Sequence, residues 1–197
     1  MASYRALWST CEAVMRLLRQ QWRPARFNGQ AGDFQVYQTA DFDTKPIGTG
    51  VSLYVYRVMF SATQRTSPPR PRDDGLINRR QLPVEVHFLL TPWAGSASLE
   101  LEILGWLMRT LEDHPILSAG QLNLPIDQVF SPDEFVELVA CPLTNEEVMR
   151  IWDVIPGDYR LSSPYLARTI RIESEITTAE GSPVLTRELE YGALKRP

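Results

Sequence analysis

The run Val51-Ser-Leu-Tyr-Val-Tyr-Arg-Val-Met-Phe60, with Leu82-Pro-Val-Glu-Val-His-Phe-Leu-Leu90 and the helical Leu99–His114 stretch behind it, decides how this chain folds. In the first run Val51, Leu53 and Val55 alternate with Ser52, Tyr54 and Tyr56, the two-residue period of a strand. Both of its sides are fairly apolar, so it lies centrally or packs against a neighbour on both faces. The second run alternates Leu82, Val84, Val86, Phe88 and Leu90 with Glu85, His87 and Leu89, the clearest strand signal in the chain. Thr91-Pro-Trp-Ala-Gly95 then turns the backbone. Ser96 or Ser98 can accept from the first free amides of a helix whose buried face is Leu99, Ile103, Trp106 or Leu107, and Leu111. His114-Pro115 ends that helix.

Between the two strands, residues 63–81 carry Pro68, Pro69 and Pro71, the turn Asp73-Asp74-Gly75, and Arg65, Arg70, Arg72, Arg79 and Arg80. Proline removes amide donors and favours extended backbone, which makes this an excursion from the sheet. Its arginines have two readings. They are a solvated loop, or they dock an acidic partner through bidentate carboxylate contacts.

Upstream, Leu7, Cys11, Val14, Met15, Leu18 and Trp22 fall at helical spacing over 4–22, and Pro24 stops the helix. Phe34, Val36 and Tyr37 form a short extended piece between turn signals. Asp41 and Asp43 resemble a fragment of a metal loop, but the later oxygen ligands of a calcium site are missing. Downstream, Ile116–Pro132 reads as short elements, and Phe135–Leu143 as a third strand. Thr144-Asn-Glu-Glu147 is a capping box before a brief helix burying Val148, Ile151 and Trp152. Tyr165–Glu175 is a fourth strand. After it periodicity is lost, yet Val184, Leu185, Leu189 and Tyr191 keep the end adhesive, as expected of a segment ordered by a neighbouring subunit. The fold class is therefore α+β: a mixed or antiparallel sheet of about four strands with two to three packing helices, in a domain over 1–175 followed by an extension over 176–197.

Composition narrows the function classes. A net charge of −4 and a pI near 5.3 argue against a nucleic-acid module, leaving only the arginine cluster as a local basic patch. No apolar run reaches the ~18–20 residues that span a bilayer, and Glu12 and Arg16 interrupt the first apolar segment, so neither membrane insertion nor a secretory signal is expected. The two cysteines, Cys11 and Cys141, are expected to be reduced packing residues of a chain made and assembled in the cytoplasm. Glu85 and His87 lie side by side along one strand and invite an acid/base reading, with Cys11 or Cys141 as a remote nucleophile and His114 as a second histidine. No nucleophile motif accompanies them, so a hydrolase is the weaker alternative. A peptide-binding adaptor that accepts a partner's segment at a strand edge is another.

Several blocks occur in a telling order: Val51–Arg57, Leu82–Thr91, Leu104-Gly-Trp-Leu-Met-Arg-Thr-Leu-Glu-Asp-His-Pro-Ile-Leu117, Leu143-Thr-Asn-Glu-Glu-Val-Met-Arg-Ile-Trp152 and Pro164-Tyr-Leu-Ala-Arg-Thr-Ile-Arg-Ile-Glu-Ser174. Together they resemble the tail terminator or cap protein of extracellular contractile injection systems, the phage-tail-like particles that include the antifeeding prophage type. The resemblance runs from about Leu7 to Glu175. It implies a mixed α/β terminator fold and a homohexameric ring that closes the inner tube and engages the last layer of the sheath. The implied partners are further copies of the chain, the tube protein and the sheath protein, in a particle that can be released from the cell. It implies no cofactor and no catalysis. Candidate contacts are Arg65, Arg70, Arg72, Arg79 and Arg80 together with Val184, Leu185, Leu189 and Tyr191.

Overall fold

In the computed structural model, residues 2–62, 80–124 and 127–175 are described. The strongest alternation becomes the longest strand, β3 (Gln81–Trp93), which runs antiparallel to β2 (Gly50–Phe60) with Leu53 opposite Leu90 and Val55 opposite Phe88. On its other side β3 pairs antiparallel with β6 (Ser163–Glu173), so Phe88 also faces Tyr165. Beyond β6 lie β5 (Phe135–Ala140) and β4 (Ile116–Ser118), both antiparallel. On the far side of β2 lies β1 (Asp33–Tyr37), the one parallel neighbour. The order is β1-β2-β3-β6-β5-β4.

The mixed sheet thus has six strands, against about four expected. The additions are the short extended piece at 33–37 and the three residues of β4, each too short to show a convincing period alone. The expected boundaries also shift: the third strand stops at Ala140 rather than Leu143, and the fourth spans 163–173.

Among the described residues, three helices of two turns or more pack on this sheet: α1 (Ala6–Gln21), α3 (Ala97–Asp113) and α5 (Asn145–Trp152). Two single turns accompany them, α2 (Asp41–Thr44) and α4 (Ala119–Leu122). The side chains of Val51, Leu53, Phe88, Leu90, Ala167, Ile170 and Val136 meet Val14, Met15 and Leu18 of α1 and Ile103, Leu107 and Leu111 of α3 in the main core. Each such aliphatic side chain contributes about 1.5–3 kcal/mol by leaving water. Ser96 is the residue that caps α3, accepting from Leu99 N, and the Thr144–Glu147 capping box forms as expected.

Where α1 ends, Trp22 stacks on Phe27 at 3.8 Å and meets Trp106 edge-on at 5.1 Å. Trp106 is half-buried beside this cluster, while Leu107 fills the core. Gly50 is indispensable for a different reason. It sits at φ +149°, and a Cβ there would lie 1.8 Å from the carbonyl oxygen of Asp33, so only glycine lets β1 lie against β2.

The opposite sheet face carries a smaller cluster. Phe42 of α2 touches the rings of Tyr37, Tyr54, Trp93 and Trp152 at centroid distances of 5.2–6.2 Å, tying α2 and α5 to the sheet. The Trp93 indole donates to the buried hydroxyl of Ser52 at 2.8 Å, and the Arg160 guanidinium covers the Trp93 ring at 4.1 Å. This is the second cover that the two apolar sides of β2 require. Two irregularities bend the sheet: a bulge between Val55 and Arg57 in β2, and Thr169 at φ +70° in β6, where the register with β3 slips.

Candidate assembly surface

The far end of the β2–β3 hairpin runs past the main core. Phe60 is 72% exposed, with Val58 and Leu82 also open to solvent, although they continue the inward alternation of Val84 and Val86. Alternation identifies which face a side chain shares. It does not reveal where the covering helix stops, which is why Leu82 reads with the core-facing set in the sequence, while the bulge at Val55/Arg57 brings Val58 and Phe60 to the same face. They form an apolar collar at the root of the arginine-rich excursion. Exposed apolar side chains beside an arginine, here Arg80, are a usual composition of a protein contact.

Of the candidate contacts, Arg80 is described. It is exposed, immediately precedes β3, and its carbonyl accepts from Ser174 N at 2.8 Å. Arg65, Arg70, Arg72 and Arg79 lie outside the described residues, as do Val184, Leu185, Leu189 and Tyr191. One juxtaposition not legible in the sequence emerges here. The start of β3, the end of β6 and the amino-terminal Ala2 come together, with Glu173 N donating to Ala2 O at 2.9 Å and Ala2 bridging Ile172 in parallel. Arg80 and Ser174 are therefore neighbours at this end of the sheet.

The residues of the acid/base reading are arranged differently from what it requires. Glu85 accepts from Ser61 Oγ at 2.8 Å, and so is not bonded to His87. His87 instead has Cys141 Sγ 3.9 Å from its Nδ1, and the Tyr56 ring 6.0 Å away. Burial, reinforced by the Arg57 charge, pushes the imidazole below its ordinary pKa, which opposes formation of an imidazolium–thiolate pair. The Nε2 of His87 and the hydroxyl of Tyr56 are both buried without a hydrogen-bond partner among the described residues. Cys11 is buried in the core and its thiol is pushed up to about 12, chiefly by desolvation. His114 sits at the end of α3 with Nδ1 2.9 Å from Thr110 O, a helix-terminating contact.

Asp41 opens α2, where its carboxylate accepts from Gln38 N at 3.0 Å and pairs with Lys45 at 2.9 Å; these contacts hold it below the usual carboxylate range. It is a structural residue that fastens the turn before α2. No group of three or more His, Cys, Asp or Glu placed to hold a metal occurs among the described residues, and none of their helices is long and apolar enough to cross a membrane.

Known proteins share this architecture. One is the PVC sheath/tube terminator, in its extended state, of an extracellular contractile injection system. It superposes with a TM-score of 0.62 at 14% identity, covering 93% of this chain and 65% of that one. Another is the tube-terminating cap of the anti-feeding prophage, with a TM-score of 0.62 at 13% identity over 91% of this chain and 59% of that one. This chain spans about three fifths of the length of these proteins. At such identities the likeness is one of fold. No curated protein sequence matches. The sequence profile of the Pvc16 N-terminal domain covers residues 9–186, nearly all of the chain, and the protein belongs to that family.

Proposed function

We propose that this protein is a structural tail terminator, closing the inner tube and anchoring the terminal sheath layer of a contractile injection system as a homohexameric ring. The observation carrying this reading is the match of the Pvc16 N-terminal domain over residues 9–186, joined to a fold shared with a sheath/tube terminator and a tube cap. Its work is mechanical and needs no cofactor: the rim fixes particle length and holds the sheath end while contraction drives the tube. Its partners are further copies of itself, the tube protein and the sheath protein, met in the cytoplasm during assembly. The collar of Val58, Phe60 and Leu82 with Arg80 and the neighbouring arginines supplies the contact surface. Ring formation needs a head-to-tail interface in which two different patches meet.

The test combines imaging and substitution. Particles assembled without the protein are expected to show tubes of uneven length and frayed sheath ends, and purified protein at high concentration is expected to form six-membered rings. Replacing Arg70, Arg72, Arg79 and Arg80 together by Ala is expected to leave the subunit folded and weaken capping. Normal particle ends without the protein would overturn the proposal.

A further inference from the structure

Exposed apolar side chains gather at both ends of β3. At its start stands the collar of Val58, Phe60 and Leu82. At its end a second surface runs from α5 through the turn that follows: Met149, Val154 and Tyr159 are all open to solvent, Val154 at 67%. Packing from beneath fixes that surface to the strand. The rings of Trp152 and Phe42 lie 5.5 Å apart, and Phe42 lies against Trp93, the last residue of β3. Tyr159 meets Trp152 edge-on at 5.7 Å, and Arg160 covers the Trp93 ring. Eleven residues of one strand separate Leu82 from Trp93, about 36 Å at the strand rise. The collar continues the side of the sheet that α1 and α3 cover, whereas α5 lies on the other. The two surfaces therefore cannot meet within one subunit.

The two ends also differ in charge. Asp153 and Asp158, both exposed, flank the second surface, while the cations beside them are already engaged: Arg150 pairs with Glu146 at 2.7 Å, and Arg160 lies on the Trp93 ring. At the collar, Arg80 precedes β3 and Arg171 lies opposite Pro83, both exposed. Their acidic neighbours are the exposed Glu175 and Glu173, whose Oε1 is turned inwards and buried. A collar edged by arginine attracts a surface edged by aspartate, whereas two copies of the acidic surface brought together repel. Aromatic side chains are the usual anchors of protein contacts, and each surface offers one, Phe60 and Tyr159. Complementary surfaces at opposite ends of one subunit suit a second copy of the same chain.

We infer that the collar of one copy docks on the Val154–Tyr159 surface of the next, with Phe60 seated against Val154 and Tyr159 and Arg80 facing Asp153 and Asp158. A joined pair still offers one collar and one acidic surface, so the same contact repeats from copy to copy until it closes on itself. The inference rests on the terminator reading for the ring, and it assigns the second of the two patches that a head-to-tail ring requires.

The test uses the full chain at high concentration with Phe60 replaced by the photo-crosslinker p-benzoylphenylalanine, as an equal mixture of isotopically light and heavy protein. Irradiation is expected to join position 60 to peptides from 149–159, with light and heavy chains linked in one product. Links from position 60 to the collar of another copy, links within one chain, or rings without a link to 149–159 would overturn the inference and leave the terminator reading, which particle ends test, standing. A protein that stays monomeric would overturn it as well. A second measurement uses complementation. Phe60→Asp spoils the collar and keeps the acidic surface, and Val154→Asp does the reverse, so each variant alone is expected to sediment as a monomer. Mixed in equal amounts, they are expected to form dimers and nothing larger, through the one contact whose two sides are intact. That recovery also shows that both variants are folded. A mixture no more associated than either variant alone would overturn the inference.

Discussion

Replacing Phe42 by Ala should unfasten one whole side of the sheet. The ring is the hub of the smaller cluster, touching Tyr37, Tyr54, Trp93 and Trp152, and is 8% exposed. Removing a buried phenylalanine costs about 3–5 kcal/mol when the cavity cannot collapse. The cluster holds only six buried residues and lies near the surface, so partial collapse places the expectation near the lower figure, about 3 kcal/mol. For a chain of this size each kcal/mol moves Tm by about 2–4 °C, giving a fall of about 6–12 °C. Near-UV circular dichroism should lose intensity, since Trp93 and Trp152 both lose an aromatic neighbour. Hydrogen exchange should speed at the amides of α5 well before those of α1, whose core lies on the other face. Phe42→Leu, which keeps most of the volume, should cost less than about 1.5 kcal/mol. A Tm drop under about 2 °C for Phe42→Ala, with α5 protection unchanged, would refute the role assigned to this ring.

Other substitutions separate further features. Arg168 donates twice to Glu137 at 2.8 Å and holds that carboxyl below its ordinary 4.5, so the stabilisation is present above that value and is lost as pH falls through the lower folded-state pKa. Glu137→Gln should therefore narrow the gap to the unmodified protein as Tm is followed from neutral pH into acid; a constant gap would contradict this. Thr144→Ala removes the hydroxyl arm of the α5 capping box, which accepts from Glu147 N, and should cost about 1 kcal/mol, read as a Tm fall of about 2–4 °C. Gly50→Ala places a methyl 1.8 Å from the Asp33 oxygen and should cost more than about 4 kcal/mol, with exchange protection lost first at residues 33–37. Retention of β1 protection in a stable Gly50→Ala protein would disprove the close-approach argument.

Much of this architecture is written in local chemistry. The two long strands announce themselves by alternation, and the Thr144 box and the α1 face by spacing, because in each case the signal and its cause lie within a few residues. The apolar residues on both sides of β2 pointed to a central position or to cover on both faces, and β2 has both. β4 was not, because three residues after Pro115 are too few for a period and are strand only because Val136 lies opposite Leu117. The contact of Cys141 with His87 spans 54 residues and depends on how β5 is placed against β3 through β6, which no local pattern encodes. The surface proved hardest to read: Leu82 carries the same alternation as the buried Val84 and Val86, yet stands open to solvent.

The two ends of the sheet are chemically unequal. Asp33 turns its amide towards β2, bonding Thr49 O at 2.9 Å, so the carbonyl of the next residue, Phe34, points away from the sheet, where Arg19 of α1 donates to it at 2.8 Å. A stray strand arriving at β1 would have to displace a cation from its acceptor. Growth of the sheet from molecule to molecule needs two receptive margins, and this guard blocks one of them. Copies of this chain held at high local concentration are thereby discouraged from running on into a fibre.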